Sequence, residues 1–268
     1  MPHWRFLNTG MRDGAANMAV DEALLAGVND GTSPPTVRVF GWIPHTVSIG
    51  YSQDPGSEID LAACRGAGIG VVRRPTGGRA VFHADELTYS VVGPSGVPPL
   101  GSSIMETYRA IGEALVDGVR ALGVDAQLEE VGTDAGARRG GPSPPCFVSS
   151  GRFEVVVSGR KLVGSAQRRV GRGVLQHGSL LLGPRHEDLA SLLPGLTAGE
   201  RTALRRALSA KTTTLCTVLG RTVGFDEAAR AIRGGFERAW GIALAEGVLS
   251  DSEEGTAARL ASGYAIER

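Results

Sequence analysis

The sequence predicts an α+β protein: a mixed, largely antiparallel β-sheet core flanked by helices, with a short helical C-terminal region. Three observations carry that expectation. Runs of β-branched and aromatic residues alternate with Gly- and Pro-bearing turns through much of the chain. One long segment, Ser103 to Leu122, sets Ile104, Tyr108, Ile111, Leu115 and Val119 on a single helical stripe. From Pro184 onward the pattern changes to short helices with little strand character.

Taken in order, Ala15 to Ala26 holds Met18, Ala19, Leu24 and Leu25 near helical spacing, with Gly27 near its end. Thr36 to Phe40 and Thr46 to Gly50 read as short strands around Gly41, Trp42 and Pro44, in a hairpin-like arrangement. Glu58 to Arg65 reads as helix and Gly68 to Arg73 as extended chain. Arg79 to His83 and Glu86 to Val92 suggest two adjacent strands, and Ser102 or Ser103 can cap the long helix that follows. Gly132 to Pro145 is rich in Gly, Pro and Arg and reads as an exposed loop leading to Cys146. Phe153 to Val157, Lys161 to Ala166 and Val174 to Leu182 then form an antiparallel meander, and Ala198 to Leu208, Asp226 to Trp240 and Asp251 to Gly263 form the helical tail.

Composition bounds the function. A chain of 268 residues with 42% hydrophobic and 21% charged residues can bury a core without metal or disulfide staples. Lys plus Arg and Asp plus Glu balance at 28 each, which removes the general argument for a nucleic-acid binder, so a charged partner must be met by a local patch. The three cysteines, Cys64, Cys146 and Cys216, have neither disulfide-framework nor zinc spacing, so no metal is expected and a reducing cytoplasm fits best. The first residues do not read as an export signal, and no apolar run reaches the roughly 18 residues of a membrane helix.

The candidate chemistry lies in two regions. Thr76, Gly77 and Gly78 form a turn whose backbone can approach a carbonyl or phosphate oxygen closely, although Gly-Gly also suits an ordinary hairpin. His83 can donate to a carbonyl or be a satisfied core residue. Arg73 and Arg74 can meet phosphate or an acidic partner, or be solvated. Ser165, Ala166 and Gln167, with Gln176, His177 and Gly178, interrupt strands with small or polar groups that suit backbone contacts to an acyl carbonyl or mark bulges. Lys161 and Lys211 are the only lysines among 28 basic side chains, so each needs a reason to be lysine. Cys64 and Cys216 read as small buried hydrophobes.

The segment RRPTGGRAVFHADELTYS, Arg73 to Ser90, resembles the signature of the lipoate-protein ligase and octanoyltransferase superfamily, whose catalytic domain resembles biotin-protein ligase. The resemblance extends through NMAVDEALL (Asn17 to Leu25), VRVFGWIPHTVSIGYSQ (Val37 to Gln53), GRKLVGSAQRR (Gly159 to Arg169) and VLQHGSLLL (Val174 to Leu182). It implies one single-domain enzyme over 1–268, with the ligase-like domain at 34–245 and a helical tail from about 184 to 268. Ligases usually carry a third glycine where Arg79 stands and a GNLNFS-like ending in place of Asp85 to Ser90. The GGRAVxH and ELTYS forms are similar to the LipM type of octanoyltransferase.

That resemblance implies Cys146 as acyl-accepting nucleophile and Lys161 as its catalytic partner, with Arg73, Thr76, Gly77, Gly78, His83, Ser165, Ala166, Gln176, His177 and Gly178 binding substrate. It implies octanoyl-acyl carrier protein as donor and a lipoyl-domain protein, the glycine-cleavage H protein, as acceptor, with no cofactor and a monomeric enzyme. An ATP-dependent lipoate-protein ligase, an octanoyl-H protein amidotransferase and a non-catalytic acyl- or lipoyl-domain-binding protein are the alternatives. Lys211 matches a tail position without an assigned role.

Overall fold

The computed structural model describes residues 3–130 and 153–266; Cys146 and the segment 132–145 lie outside the described residues. The first half of the chain runs β1 (Arg5–Arg12), α1 (Gly14–Asp30), β2 (Thr36–Trp42), β3 (Thr46–Ile49), α2 (Pro55–Glu58), α3 (Leu61–Gly66), β4 (Gly70–Arg73), β5 (Val81–His83), β6 (Glu86–Pro94) and α4 (Ile104–Arg120). The second half holds β7 (Gln127–Glu130), β8 (Phe153–Val157), β9 (Arg160–Val170) and β10 (Gly173–Leu181). After them come a 3-10 turn at Pro184–Ser191, α5 (Ala198–Lys211), α6 (Leu215–Leu219), α7 (Phe225–Trp240), β11 (Ala245–Glu246) and α8 (Asp251–Ala261).

Local chemistry fixes the helix starts. Asp13 caps α1 through Ala16 N. Ser103 caps α4 as expected, and Glu106 returns a bond to the Ser103 backbone to complete a capping box. Thr197 with Glu200 and Ser250 with Glu253 repeat the device at α5 and α8.

Among the described residues the strands form two sheets, an eight-stranded one in the order β11-β1-β2-β6-β10-β9-β8-β7 and a three-stranded one in the order β4-β3-β5. The large sheet is parallel only at β11-β1-β2 and antiparallel from β2 through β7. One face carries Val37, Val39, Leu87, Val91, Val174 and Leu180 into a core closed by Ile111 and Leu115 of α4 and Ile232 and Phe236 of α7. Helices α4 and α7 touch backbone to backbone, because a Cβ on Gly235 would sit 2.4 Å from Ala114 O. The other face packs against α1 and α8 through Leu7, Val92, Leu175 and Leu24.

The meander β8-β9-β10 and the helical tail form as expected, and the tail adds α6 and the two-residue β11. The hairpin expected between Thr36–Phe40 and Thr46–Gly50 does not form. Both edges of β2 are occupied by β1 and β6, while β3 is taken up by β4 and β5, so Ile43 to His45 carries the chain from one sheet to the other. For the same reason β5 and β6 are neighbours in sequence and not in a sheet. The helix expected over 58–65 is two short ones, parted where Asp60 starts a new cap on Ala63 N. Strands β1 and β7 add pairing that the residue pattern did not predict.

Candidate functional site

The small sheet lies against the α1 face of the large one, and a cavity opens between them. Its walls are mostly apolar, from Met18, Trp42 and Val81, with Lys161, Ser165, Ala166, His177 and Gly178 of β9 and β10 and His83 of β5. Six of the expected site residues therefore meet at one cavity.

A β-bulge decides where Lys161 points. Val155 pairs with Val163 but Val156 pairs with Lys161, so Leu162 is an extra residue on β9. Strict alternation would put Leu162 and Val163 on opposite faces; with the bulge both join the α4/α7 core, and Lys161 turns into the cavity. Lys161 is 6% exposed, and its Nζ donates to Glu154 Oε1 at 2.7 Å. Its backbone is pinned by the tail, where Thr213 N donates to Lys161 O. By contrast β9 and β10 pair without a shift through Ser165 to Gln167 and Gln176 to Gly178, so those residues are not bulged.

The Gly-Gly turn is held from below. Arg74 is buried and donates from Nε and Nη2 to Gly77 O (3.1 and 2.8 Å), from Nη2 to Arg79 O (2.7 Å) and from Nη1 to Ser48 O and Oγ. Because the C=O and N–H of a trans peptide lie in one plane and point in opposite directions, the Gly78 N–H points away from that guanidinium. Gly78 adopts φ 98°, and a Cβ on Gly50 would lie 2.1 Å from Gly78 O, so the turn and the end of β3 need glycine at both places. Arg73 is half-buried and does not line the cavity: its Nη1 donates to Tyr51 O (2.8 Å) and Gln53 O (2.6 Å) and so fixes the adjoining turn.

Both histidines are satisfied by the protein. His83 stacks on Trp42 at 4.0 Å between ring centroids, with Nδ1 2.8 Å from Glu86 Oε1 and Nε2 2.7 Å from Ser48 Oγ. His177 has Nδ1 3.1 Å from Asp21 Oδ2 and Nε2 2.6 Å from Thr76 Oγ1, which places Thr76 directly beneath the loop. Burial pushes the His177 imidazole below its ordinary range, against the upward pull of Asp21. Gln176 points to the opposite face, where its Nε2 donates to Tyr89 OH, and Tyr89 OH also bonds Ser165 Oγ.

Several residues here were not singled out by sequence reasoning. Asp21 and Arg38 are both fully buried and paired at 2.7 Å, and Ser90 Oγ donates to the same carboxylate. Burial raises the Asp21 carboxyl, but Arg38 and the His177 bond more than offset it and hold it below the usual range. Glu86 accepts from His83, Thr88 and Ser179 and is likewise held low despite its burial. Glu154 was also missed. The available signal was a charge inside an apolar pattern, Asp21 in NMAVDEALL and Arg38 in VRVF, but its partner is visible only in three dimensions. Cys64 is buried, its thiol pushed up to about 11 by burial and then by Asp60, which suits a packing role. Cys216 is half-buried beside Thr214 Oγ1.

Residues 13–237 match the model of the lipoyl protein ligase A/B catalytic domain. The chain belongs to that family. It is 43% identical to the octanoyltransferase LipM of Kyrpidia tusciae over 98% of this chain and 97% of that one. To the octanoyltransferase LipM of Symbiobacterium thermophilum it is 46% identical, over 94% and 92%. Among solved structures, a bipartite lipoate protein ligase from Thermoplasma acidophilum superposes with a TM-score of 0.79 at 24% identity, covering 98% of this chain and 93% of that one, a likeness of fold. Within the lipoyl ligase family the chain is thus an acyltransferase of the octanoyltransferase LipM type. Among the described residues no group of side chains is arranged to hold a metal, and no helix is long and apolar enough to cross a membrane.

Proposed function

We propose that this acyltransferase moves an octanoyl group from octanoyl-acyl carrier protein, through a thioester on Cys146, to a lysine of a lipoyl-domain protein, the glycine-cleavage H protein. The observation that carries the reading is a single buried lysine at an apolar cavity, in a chain that otherwise uses arginine almost throughout and is over 40% identical to octanoyltransferases LipM.

In this scheme the Cys146 thiolate attacks the donor thioester carbonyl, and the tetrahedral intermediate collapses by expelling the carrier thiol. The acceptor amine then attacks the enzyme thioester, forming an amide and releasing the Cys146 thiol. The Lys161 ammonium stabilises the thiolate by charge and gives its proton to the leaving carrier thiolate, and the resulting amine takes a proton from the attacking acceptor amine. The N–H groups of the Gly77-Gly78 turn and of Ala166 steady the oxyanion. A thioester is already activated, so neither ATP nor a metal enters. The enzyme is proposed to work as a monomer in a reducing cytoplasm, which keeps the thiol free.

Intact-protein mass spectrometry after incubation with octanoyl-acyl carrier protein is the test. One octanoyl adduct that maps to Cys146, forms without ATP and disappears on adding the H protein is the expected result. Full transfer by Cys146→Ser sinks the scheme, and lipoate-dependent pyrophosphate release would assign the chain to the ligase chemistry instead.

A further inference from the structure

Two buried carboxylates lie behind the cavity, and each reaches toward the Gly-Gly turn through an imidazole and a hydroxyl, the second with Arg74 as a further link. Asp21 meets His177 Nδ1, and His177 Nε2 meets Thr76 Oγ1. Glu86 meets His83 Nδ1, His83 Nε2 meets Ser48 Oγ, and Ser48 Oγ accepts from Arg74, which grips Gly77 O and Arg79 O. An ionised carboxylate only accepts hydrogen bonds, so each imidazole must carry its proton on Nδ1. In the neutral ring Nε2 is then an acceptor, and the hydroxyls of Thr76 and Ser48 donate to it.

We infer that Asp21 and Glu86 are positioning residues which, through His177 and His83, lock the Thr76 to Arg79 turn across the interface of the two sheets. His177 serves as a fixed acceptor and does not shuttle a proton, and His83 is held by its Nδ1 bond to Glu86. The geometry supports this twice over. Thr76 and Ser48 are fully buried, so their hydroxyls have no water to turn to, and losing the acceptor would leave a buried donor unsatisfied. The two chains also start from strands of the large sheet and its helix α1 and end on the small sheet, which holds the turn to the opposite wall of the cavity. Arg38 and Ser90 keep Asp21 ionised, and Thr88 and Ser179 do the same for Glu86. Proton transfer is thereby left to Lys161.

The catalytic consequence rests on the proposed role of the turn, but the structural part can be read without activity. In the full-length ¹⁵N-labelled protein at pH 7.5, the imidazole spectrum of His177 should show a neutral ring protonated on Nδ1, and that of His83 should carry a proton on Nδ1. Amide exchange at Tyr51, whose N–H donates to Thr76 O, should rise at least tenfold in Thr76→Val and in Ser48→Ala, and return to the wild-type rate in Thr76→Ser. In octanoyl transfer, Thr76→Val should lower kcat about tenfold with KM within twofold, with recovery in Thr76→Ser. A ring that lacks the Nδ1 proton at either histidine, or unchanged exchange at Tyr51 in a folded Thr76→Val protein, overturns the inference. Wild-type protein that shows these spectra but forms no octanoyl adduct would instead discard the transfer scheme and leave the lock standing.

Discussion

The two faces of the large sheet are built from alternate residues of the same strands, yet they do different work. In β2, β6 and β10 the residues directed at α4 and α7 include Val37, Val39, Leu87, Val91, Val174 and Leu180, an apolar layer of the ordinary kind. Their immediate neighbours, Arg38, Thr88, Ser90, His177 and Ser179, face α1 and the small sheet, are equally buried, and are joined by hydrogen bonds. Burial by itself therefore does not separate core from site here. On one face it excludes water to gain hydrophobic free energy; on the other it fixes polar groups in single orientations.

If the faces divide labour in this way, the largest effect on chemistry should come from the cavity side with little loss of fold. Lys161→Arg keeps a cation near Glu154 but cannot release its proton, so octanoyl transfer should fall on the order of a thousandfold while thermal unfolding stays within a few degrees. Steady-state transfer beside a melting curve checks both halves. Retained activity would return Lys161 to a purely electrostatic role.

The converse change is Leu87→Ala on the α4/α7 face. Leu87 is fully buried within the apolar cluster, and truncation at such a site costs about 2–5 kcal/mol. Denaturant unfolding should show that loss, while kcat per folded molecule remains within twofold. A fall in kcat comparable to that of Lys161→Arg would mean that the two faces are not separable.

How much of this could be read from residues alone follows the same division. The alternation in ELTYSVV and VLQHGSLLL made β6 and β10 legible, and family-like spacing directed attention to His83, Lys161, Ser165, Ala166, His177 and Gly178, which line one cavity. The chain's passage from β2 in one sheet to β3 in another was not legible, because a Gly, Trp and Pro turn looks the same whether the strands pair or part. The bulge at Leu162 was hidden for a related reason. It exists only relative to β8, and without it Lys161 would be assigned to the wrong face. Asp21, Arg38 and Glu86 were not singled out, because a buried charge looks anomalous until its partner is in view.

A smaller effect should come from Glu154, which supports Lys161 from β8. Glu154→Gln keeps the volume and a hydrogen-bonding group but removes the negative charge beside Nζ, worth about 1.4 kcal/mol for a tenfold change in rate. Transfer should fall about tenfold, far less than in Lys161→Arg, with Glu154→Asp intermediate. An activity loss in Glu154→Gln equal to that in Lys161→Arg would make the carboxylate part of the proton path itself.

The smallest effect separates the faces by pH. His177 and His186 are both buried, and burial holds each imidazole below its ordinary range. The unfolded chain takes up these protons below about pH 6.5, whereas the folded chain resists until lower pH. Between those two values the unfolded state binds more protons, so stability is complete above pH 6.5 and is lost as pH falls through that window. Asp21 and Glu86, held below the usual carboxylate range, add a second loss only in more acidic solution. Unfolding free energy should therefore drop by about 1 kcal/mol per pH unit for each histidine crossing the window, and His177→Asn should flatten that part of the profile by about half. Leu87→Ala should lower the whole curve without changing its shape. A wild-type profile that is level from pH 7 to pH 5 would mean that burial holds neither His177 on the cavity side nor His186 in the Pro184–Ser191 turn neutral, and the contrast between a layer that only excludes water and one that also fixes protons would lose its physical basis.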